Sequence, residues 1–175
     1  MAKLLRTKYG FSIIELVVTI SITAILLGLS YTQYASFSQR QKLINSGQTL
    51  KNLLRDVESR SFNGEVDCSV CNCTEPGELL QVRWYVDLAN RQFYGVCGIG
   101  DPFTVTGLGL PGDIFLLTNS SDSLIEFLNS PSSVDEDTNI CMSLDGLDNR
   151  YYRLEIYSSG EISDSGGVIP ACDPF

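Results

Sequence analysis

The sequence Lys8-Tyr9-Gly10-Phe11-Ser12-Ile13-Ile14-Glu15-Leu16 opens the stretch that decides the fold, because an apolar run follows it to Leu29. The chain before Gly10 is short and basic, and Glu15 is the only charged residue between Phe11 and Ser38. About 20 apolar residues, rising about 1.5 Å each in a helix, match a hydrocarbon core about 30 Å thick. The run is therefore long enough to cross a membrane. Its basic flank predicts that the N-terminus stays cytoplasmic and that the remainder lies outside.

Glu15 is the unexpected residue in this run, because a lone carboxylate in a spanning helix costs about 2.5–3.5 kcal/mol unless it finds a partner. A secretory signal peptide would have an apolar region of about 7–15 residues and a small-residue cleavage site, and this run is too long for one. A plain signal anchor would explain the length but would leave the Glu15 charge uncompensated. A buried charge requires an opposite charge beside it.

The segment Gly10-Phe11-Ser12-Ile13-Ile14-Glu15-Leu16 resembles the N-terminal methylation motif of type IV pilins and type II secretion pseudopilins. The resemblance implies that a prepilin peptidase cleaves between Gly10 and Phe11 and methylates the new amino terminus of Phe11. It also gives Glu15 a partner, the amino group of Phe11 on a neighbouring subunit. The run around Gly28 contains no proline, unlike many major pilins, and this favours a minor pilin or a pseudopilin.

The implied protein is a structural subunit and not an enzyme. It would be stored in the inner (cytoplasmic) membrane as a single-pass protein with an extracytoplasmic head, and then enter a pilus or pseudopilus at the cell surface. Its partners would be the prepilin peptidase, other pilins or pseudopilins, the assembly platform in the inner membrane and membrane lipid. A minor type IV pilin is preferred. The alternatives are a type II secretion pseudopilin and, from another class, a membrane-anchored extracytoplasmic binding domain that does not polymerise.

The predicted organisation has four parts: a leader at 1–10, a transmembrane half-helix at 11–33, an amphipathic half-helix at 34–62 and a β-rich head at 63–175. Helical spacing of apolar residues supports the third part, since Leu43, Leu50, Leu54 and Val57 recur at intervals of seven, four and three, with Ile44 and Leu53 beside them. Asn63-Gly64 is the predicted helix end.

Short β-forming segments separated by turns follow Gly64, so the predicted fold class is α+β, with a long N-terminal helix packed on antiparallel strands. With a charged helix end, enough short strands for two sheets and a closing hairpin at 153–162, this second half loosely resembles H-type pseudopilins and their pilus counterparts. The tail from Asp164 to Phe175 is predicted to coil over the surface. Four neighbouring aromatic residues, Trp84, Tyr85, Phe93 and Tyr94, are predicted to fill the sheet core.

All six cysteines lie in the predicted outer portion, where an even number favours disulfides: Cys68, Cys71, Cys73, Cys97, Cys141 and Cys172. The first three are too close together to pair only among themselves, so at least one is predicted to reach a distant cysteine. Cys172 is a candidate clasp for the tail. Two alternatives remain: free or redox-active thiols, and a four-thiolate zinc site formed by Cys68, Cys71, Cys73 and Cys97.

Composition argues against several other functions. The net charge is −9, and removing the three basic leader residues makes it −12, which disfavours nonspecific nucleic-acid binding. Some pilus subunits bind DNA through a basic C-terminal motif, but the tail after Asp164 has no Lys or Arg. Histidine is absent, so the commonest acid–base group and metal ligand is missing.

Three further motifs are incomplete. The glycine-rich segment 107–112 spells a dinucleotide fingerprint but contains Pro111 and precedes no predicted helix, so a loop is expected. The acidic segments 135–139 and 145–149 offer oxygen ligands for calcium but lack the full loop spacing, so they are expected to be solvated turns. No cofactor is predicted, with calcium or zinc in the head as weak alternatives.

Overall fold

A computed structural model describes residues 12–71, 73–74, 82–98, 100–119, 123–128 and 134–172. One helix, α1 (Ile13–Phe62), precedes eight strands. The strands are β1 (Val82–Asp87), β2 (Gln92–Cys97), β3 (Pro102–Gly107), β4 (Ile114–Thr118), β5 (Leu124–Phe127), β6 (Thr138–Leu144), β7 (Tyr151–Ile156) and β8 (Ile162–Asp164). The chain divides into two compact units, Met1–Ser38 and Gln39–Phe175, whose boundary falls inside α1.

The strands form two antiparallel sheets of four strands each. Sheet A has the order β3-β2-β1-β5, and sheet B has the order β4-β6-β7-β8. The predicted α+β architecture with two sheets is confirmed. All eight strands follow Gly64, as predicted, where β-forming segments alternate with polar or glycine-containing turns.

The second half of α1 and both sheets share one hydrophobic core. The four predicted stripe residues of the helix, Leu43, Leu50, Leu54 and Val57, are completely buried. From sheet A the largest buried side chain is Trp84, and from sheet B it is Tyr152. The helical period of the stripe therefore predicted the packed face correctly, since residues three, four and seven apart lie on one side of a helix.

The helix ends at the predicted place through a Schellman motif. Gly64 has a φ of +63°, which favours glycine because it has no Cβ. The amide of Glu65 donates to the carbonyl of Arg60 at 2.9 Å, and the amide of Gly64 donates to the carbonyl of Ser61 at 3.1 Å. These two bonds satisfy carbonyls that the end of a helix otherwise leaves unpaired.

Strand alternation corrects the prediction for the aromatic residues. Trp84 and Phe93 are buried in the core, but Tyr85 and Tyr94 are half-buried on the opposite face of sheet A, with their ring centroids 5.6 Å apart. Successive side chains in a strand point to opposite faces, so Trp84 and Tyr85 cannot both face the core. The prediction was wrong for the two tyrosines.

The C-terminal tail is more ordered than a surface coil. The amide of Ser165 donates to the carbonyl of Arg153 at 2.9 Å, and Ile169 forms an antiparallel bridge with Tyr151. After β8 the tail therefore continues along β7, interrupted at Gly166 and Gly167. The last three residues, 173–175, lie outside the described residues.

Gly47 is required by close packing between α1 and sheet B. A Cβ at this position would lie 2.3 Å from Cδ1 and Cε1 of Tyr152, which is far inside van der Waals contact. The helix can approach β7 this closely only because residue 47 has no side chain.

We expect Gly47→Ala to lower the free energy of unfolding of the head by about 1–3 kcal/mol, because the Tyr152 ring must move in a filled core. Chemical denaturation of the full chain in detergent measures this change. Gly28→Ala is the matched control, since it makes the same substitution in the same helix with no atom within 4 Å of the added Cβ. Equal stability of the Gly47→Ala variant and the wild type would contradict the packing argument.

Candidate assembly site and the head that carries it

The predicted processing site lies at the boundary of the described structure. Gly10 and Phe11 are outside the described residues, and α1 begins two residues after Phe11, at Ile13. The amide of Leu16 donates to the carbonyl of Ser12 at 3.1 Å, so Ser12 immediately precedes the first turn.

Glu15 lies in the first turn of α1 and is exposed. A carboxylate is favourable there because the N-terminal end of a helix carries a partial positive charge. In the described part of the chain, no salt bridge or side-chain hydrogen bond involves Glu15. The Glu15 carboxylate is therefore available to a group outside the described residues or on another molecule.

The helix from Ile13 onward exposes apolar side chains along the stretch that the sequence predicts to cross a membrane. Ile13, Ile14, Ile25 and Leu27 are each more than 60% exposed, and the helix is long and apolar enough to span a bilayer. Three of its hydroxyl side chains bond within the helix. The hydroxyls of Thr19, Ser21 and Thr23 donate to the carbonyls of Leu16, Val17 and Thr19 at 2.7–2.9 Å. Such bonds within a helix reduce the cost of placing hydroxyls in lipid.

The six candidate cysteines form three disulfides. Cys68 pairs with Cys73, Cys71 with Cys97 and Cys141 with Cys172. The cluster of Cys68, Cys71 and Cys73 is thus linked to β2 by the Cys71–Cys97 bond, as expected. The Cys141–Cys172 bond ties the tail to β6, which was also expected.

This pairing disagrees with the two alternatives for the cysteines. All four sulfurs of the proposed zinc set are oxidised in pairs, so no thiolate is left to bind zinc, and there is no free cysteine in the described residues. No group of three or more metal-binding side chains occurs in the ranges that the structure describes.

The remaining motifs lie in loops. Residues 108–113 connect β3 to β4 without a helix, so the glycine-rich segment is a loop, as predicted. The acidic residues Asp135, Glu136, Asp145 and Asp148 are exposed in turns on either side of β6.

Two ion pairs fix α1 on sheet B, a role that the sequence did not indicate for its helical lysines. Lys42 Nζ lies 2.5 Å from Asp113 Oδ2, with both side chains more than 40% exposed. Lys51 Nζ lies 2.5 Å from Asp164 Oδ2, with side chains only 21% and 17% exposed. The Lys51 hydrogen bond holds the pKa of Asp164 below its ordinary value of 3.8. Burial raises the pKa of Tyr152, which also bonds Asp164, to about 12.

Comparison with known proteins agrees with this geometry. A family described as the prokaryotic N-terminal methylation motif matches residues 5–31, which include Gly10, Phe11 and Glu15. A crystal structure of the type IV minor pilin FimU from Pseudomonas aeruginosa (strain PAO1) is similar with a TM-score of 0.50. It is 13% identical, and the match covers 73% of this chain and 90% of that one.

The chain is pilin-like. It carries the methylation motif at the start of a long helix, and the remainder has a pilin fold. A second crystal form of FimU gives a TM-score of 0.48 at 11% identity, covering 70% of this chain and 92% of that one. No curated protein matches the sequence significantly. The motif and the fold together indicate a structural subunit and not an enzyme.

We expect Asp164→Asn to lower the free energy of unfolding by about 1–3 kcal/mol at pH 7, because the partly buried Lys51 ammonium loses its charged partner. The folded pKa of Asp164 is lowered, so its contribution is complete above its unfolded pKa and is lost as the pH falls through the folded pKa. The difference between the variant and the wild type should therefore shrink below about pH 4. Denaturation curves at several pH values measure this.

Asp113→Asn is the control for this experiment, since it removes the same type of pair where solvent screens the charges. Its effect at pH 7 should be clearly smaller than that of Asp164→Asn. A pH-independent difference for Asp164→Asn, or equal effects of the two substitutions, would contradict the proposed role of the Lys51–Asp164 pair.

Proposed function

We propose that this chain is a minor subunit of a type IV pilus or a related filament. The proposal is supported most by three features that occur together in one chain. A methylation motif begins a helix whose first half exposes apolar side chains and whose second half packs on a head with a pilin fold. An anchored binding domain would need the apolar half, but it would not need the acid near its start.

In this proposal, the prepilin peptidase removes residues 1–10 and methylates Phe11. The segment 11–33 holds the subunit in the inner membrane through contact with lipid, the segment 34–62 packs on the head, and the head at 63–175 remains extracytoplasmic. The assembly platform then transfers the subunit into a filament with other pilins.

Glu15 is proposed to make the contact that sets the axial position of each subunit. Its carboxylate would pair with the Phe11 amino group of a neighbouring subunit, in a core formed by apolar helices. Water is excluded there, so each charge is stable only beside the other. This pairing would favour one axial position over others that leave both charges uncompensated.

We expect the native protein to begin at N-methylated Phe11, measured as the intact mass of the chain purified from its own cells. A substitution of Gly10 by a bulky residue should retain the leader and serves as the unprocessed reference. A native chain that begins at Met1 would instead favour the anchored binding domain.

We expect Glu15→Gln to reduce incorporation into filaments by about tenfold or more while the amount in the membrane stays unchanged, since the neutral amide cannot compensate the amino group. Immunoblots of sheared filaments and membranes measure both quantities. Thr19→Ala is a suitable control, because the Thr19 hydroxyl is bonded within its own helix. Normal incorporation of the Glu15→Gln variant would remove the proposed role of the charge.

A further inference from the structure

The disulfide connectivity of the head does not follow the order of its cysteines along the chain. Joining the cysteines in order would give three bonds: Cys68–Cys71, Cys73–Cys97 and Cys141–Cys172. The structure contains the last of these, but Cys68 bonds Cys73 and Cys71 bonds Cys97. The short Cys68–Cys73 loop therefore encloses one cysteine of the next bond. A chain whose cysteines first pair in order has to exchange partners before it reaches the native connectivity.

The turn that carries the first two cysteines favours the bond in chain order. The carbonyl of Asp67 accepts the amides of Val70 at 3.0 Å and of Cys71 at 2.8 Å, which is one turn of a helix. Residues three apart in such a turn lie on the same side, so the turn holds Cys68 beside Cys71. The carboxylate of Asp67 also accepts the amide and the hydroxyl of Ser69. All these bonds are local, so the turn can form before any strand does.

The native partner of Cys71 lies much farther along the chain. Cys97 is 26 residues after Cys71 and is the last residue of β2. The entropic cost of closing a loop rises with its length, which disfavours this pair in an unfolded chain. In the proposed orientation the head follows α1 across the membrane in chain order. At about 5–20 residues per second, these 26 residues follow in about 1–5 s, so the first three cysteines meet an oxidant before Cys97 does.

Burial limits the time in which the pairing can be corrected. Cys71 is 6% exposed and belongs to the core, whereas Cys68 is exposed. Exchange requires a thiolate that reaches a sulfur of the existing bond. Once Cys68 has bonded Cys71 and Cys73 has bonded Cys97, these four cysteines contain no thiol that could start the exchange. The native pairs then require a thiolate from another molecule, and it has to act before Cys71 is buried.

We propose that the head is a substrate of a thiol–disulfide isomerase, a partner protein with a reactive thiolate. This thiolate attacks Cys71 Sγ, forms a mixed disulfide and releases the Cys68 thiolate. The Cys68 thiolate attacks Cys73 Sγ and releases the Cys97 thiolate, which attacks Cys71 Sγ and releases the partner. Apart from the mixed disulfide, which forms and breaks, two S–S bonds are lost and two are formed. The exchange therefore consumes no oxidant or reductant.

The isomerase would act on the extracytoplasmic side, which rests on the proposed function, since disulfides form in oxidising compartments. The exchange itself can be measured on the purified chain. A negative result there would leave the role in a filament unchanged. Loss of filament incorporation in the Glu15→Gln variant would likewise leave the exchange unchanged.

The test oxidises the reduced, denatured full chain in detergent with diamide, which contains no thiol. The oxidant is removed, and native conditions are restored with or without a catalytic amount of reduced protein disulfide isomerase. Peptide maps of alkylated samples identify the bonded pairs over time. We expect Cys68–Cys71 and Cys73–Cys97 first, and native pairs that appear about tenfold or more faster with the isomerase.

Two double variants show whether the crossed pairs cause this dependence. Cys68→Ser combined with Cys73→Ser leaves native pairs that follow the chain order, so their formation should not depend on the isomerase. Cys141→Ser combined with Cys172→Ser is the matched control, because it removes a pair that is already in order and should keep the dependence.

Three results would overturn the proposal. The first is a wild type that reaches its native pairs equally fast without the isomerase, as it would if Cys73 rearranged the bond within the chain. The second is loss of the dependence in the Cys141→Ser, Cys172→Ser control. The third is the absence of Cys68–Cys71 from the early wild-type maps, which decides the question even if the Cys68→Ser, Cys73→Ser variant does not fold.

Discussion

The packing of the second half of α1 against both sheets is the contact on which the rest of the head depends. Leu43, Leu50, Leu54 and Val57 are completely buried, and burying each such side chain contributes about 1.5–3 kcal/mol. The Lys42–Asp113 pair is exposed enough that it adds little to this sum, so its main effect is on position. Gly47 sets the distance, because any side chain there would collide with Tyr152. Apolar burial therefore holds the helix on the head, while glycine and ion pairs determine where along the sheet it sits.

The same helix has to satisfy two kinds of surroundings, and its sequence changes accordingly. Before Ser38 the described side chains are exposed and mostly apolar, and the hydroxyls among them bond to carbonyls of their own helix. After Gln39 one face is apolar and charged residues occupy the others. A helix that is apolar on every side suits lipid or the core of a bundle, whereas an amphipathic one suits the surface of a head. Glu15 is the exception in the first half, and the proposed pairing with a neighbouring subunit would compensate its charge.

Local sequence patterns predicted the helix and the strands. The strand order and the cysteine pairing depend on contacts between distant residues, so the sequence left them open. The spacing of Leu43, Leu50 and Leu54 predicted the buried face of α1, and Gly64 predicted its end, because both signals lie within a few residues. The order of strands in each sheet and the partner of Cys71 depend on contacts between residues far apart in sequence, which no local pattern contains. For Tyr85 and Tyr94 the local pattern did contain the answer, because strand alternation places them on the face opposite Trp84 and Phe93. For the assembly site, the sequence identified Gly10, Phe11 and Glu15 as a group, and their pairing remains a prediction.

The disulfides tie one non-strand segment to an inner strand of each sheet. Cys71–Cys97 ties the segment after α1 to β2 in sheet A, and Cys141–Cys172 ties the tail to β6 in sheet B. Cys141 alternates with the core-facing residues Ile140 and Met142, so it lies on the outer face of sheet B, and the clasp holds Cys172 against that face. In both cases a covalent bond positions a segment that no strand of either sheet contains.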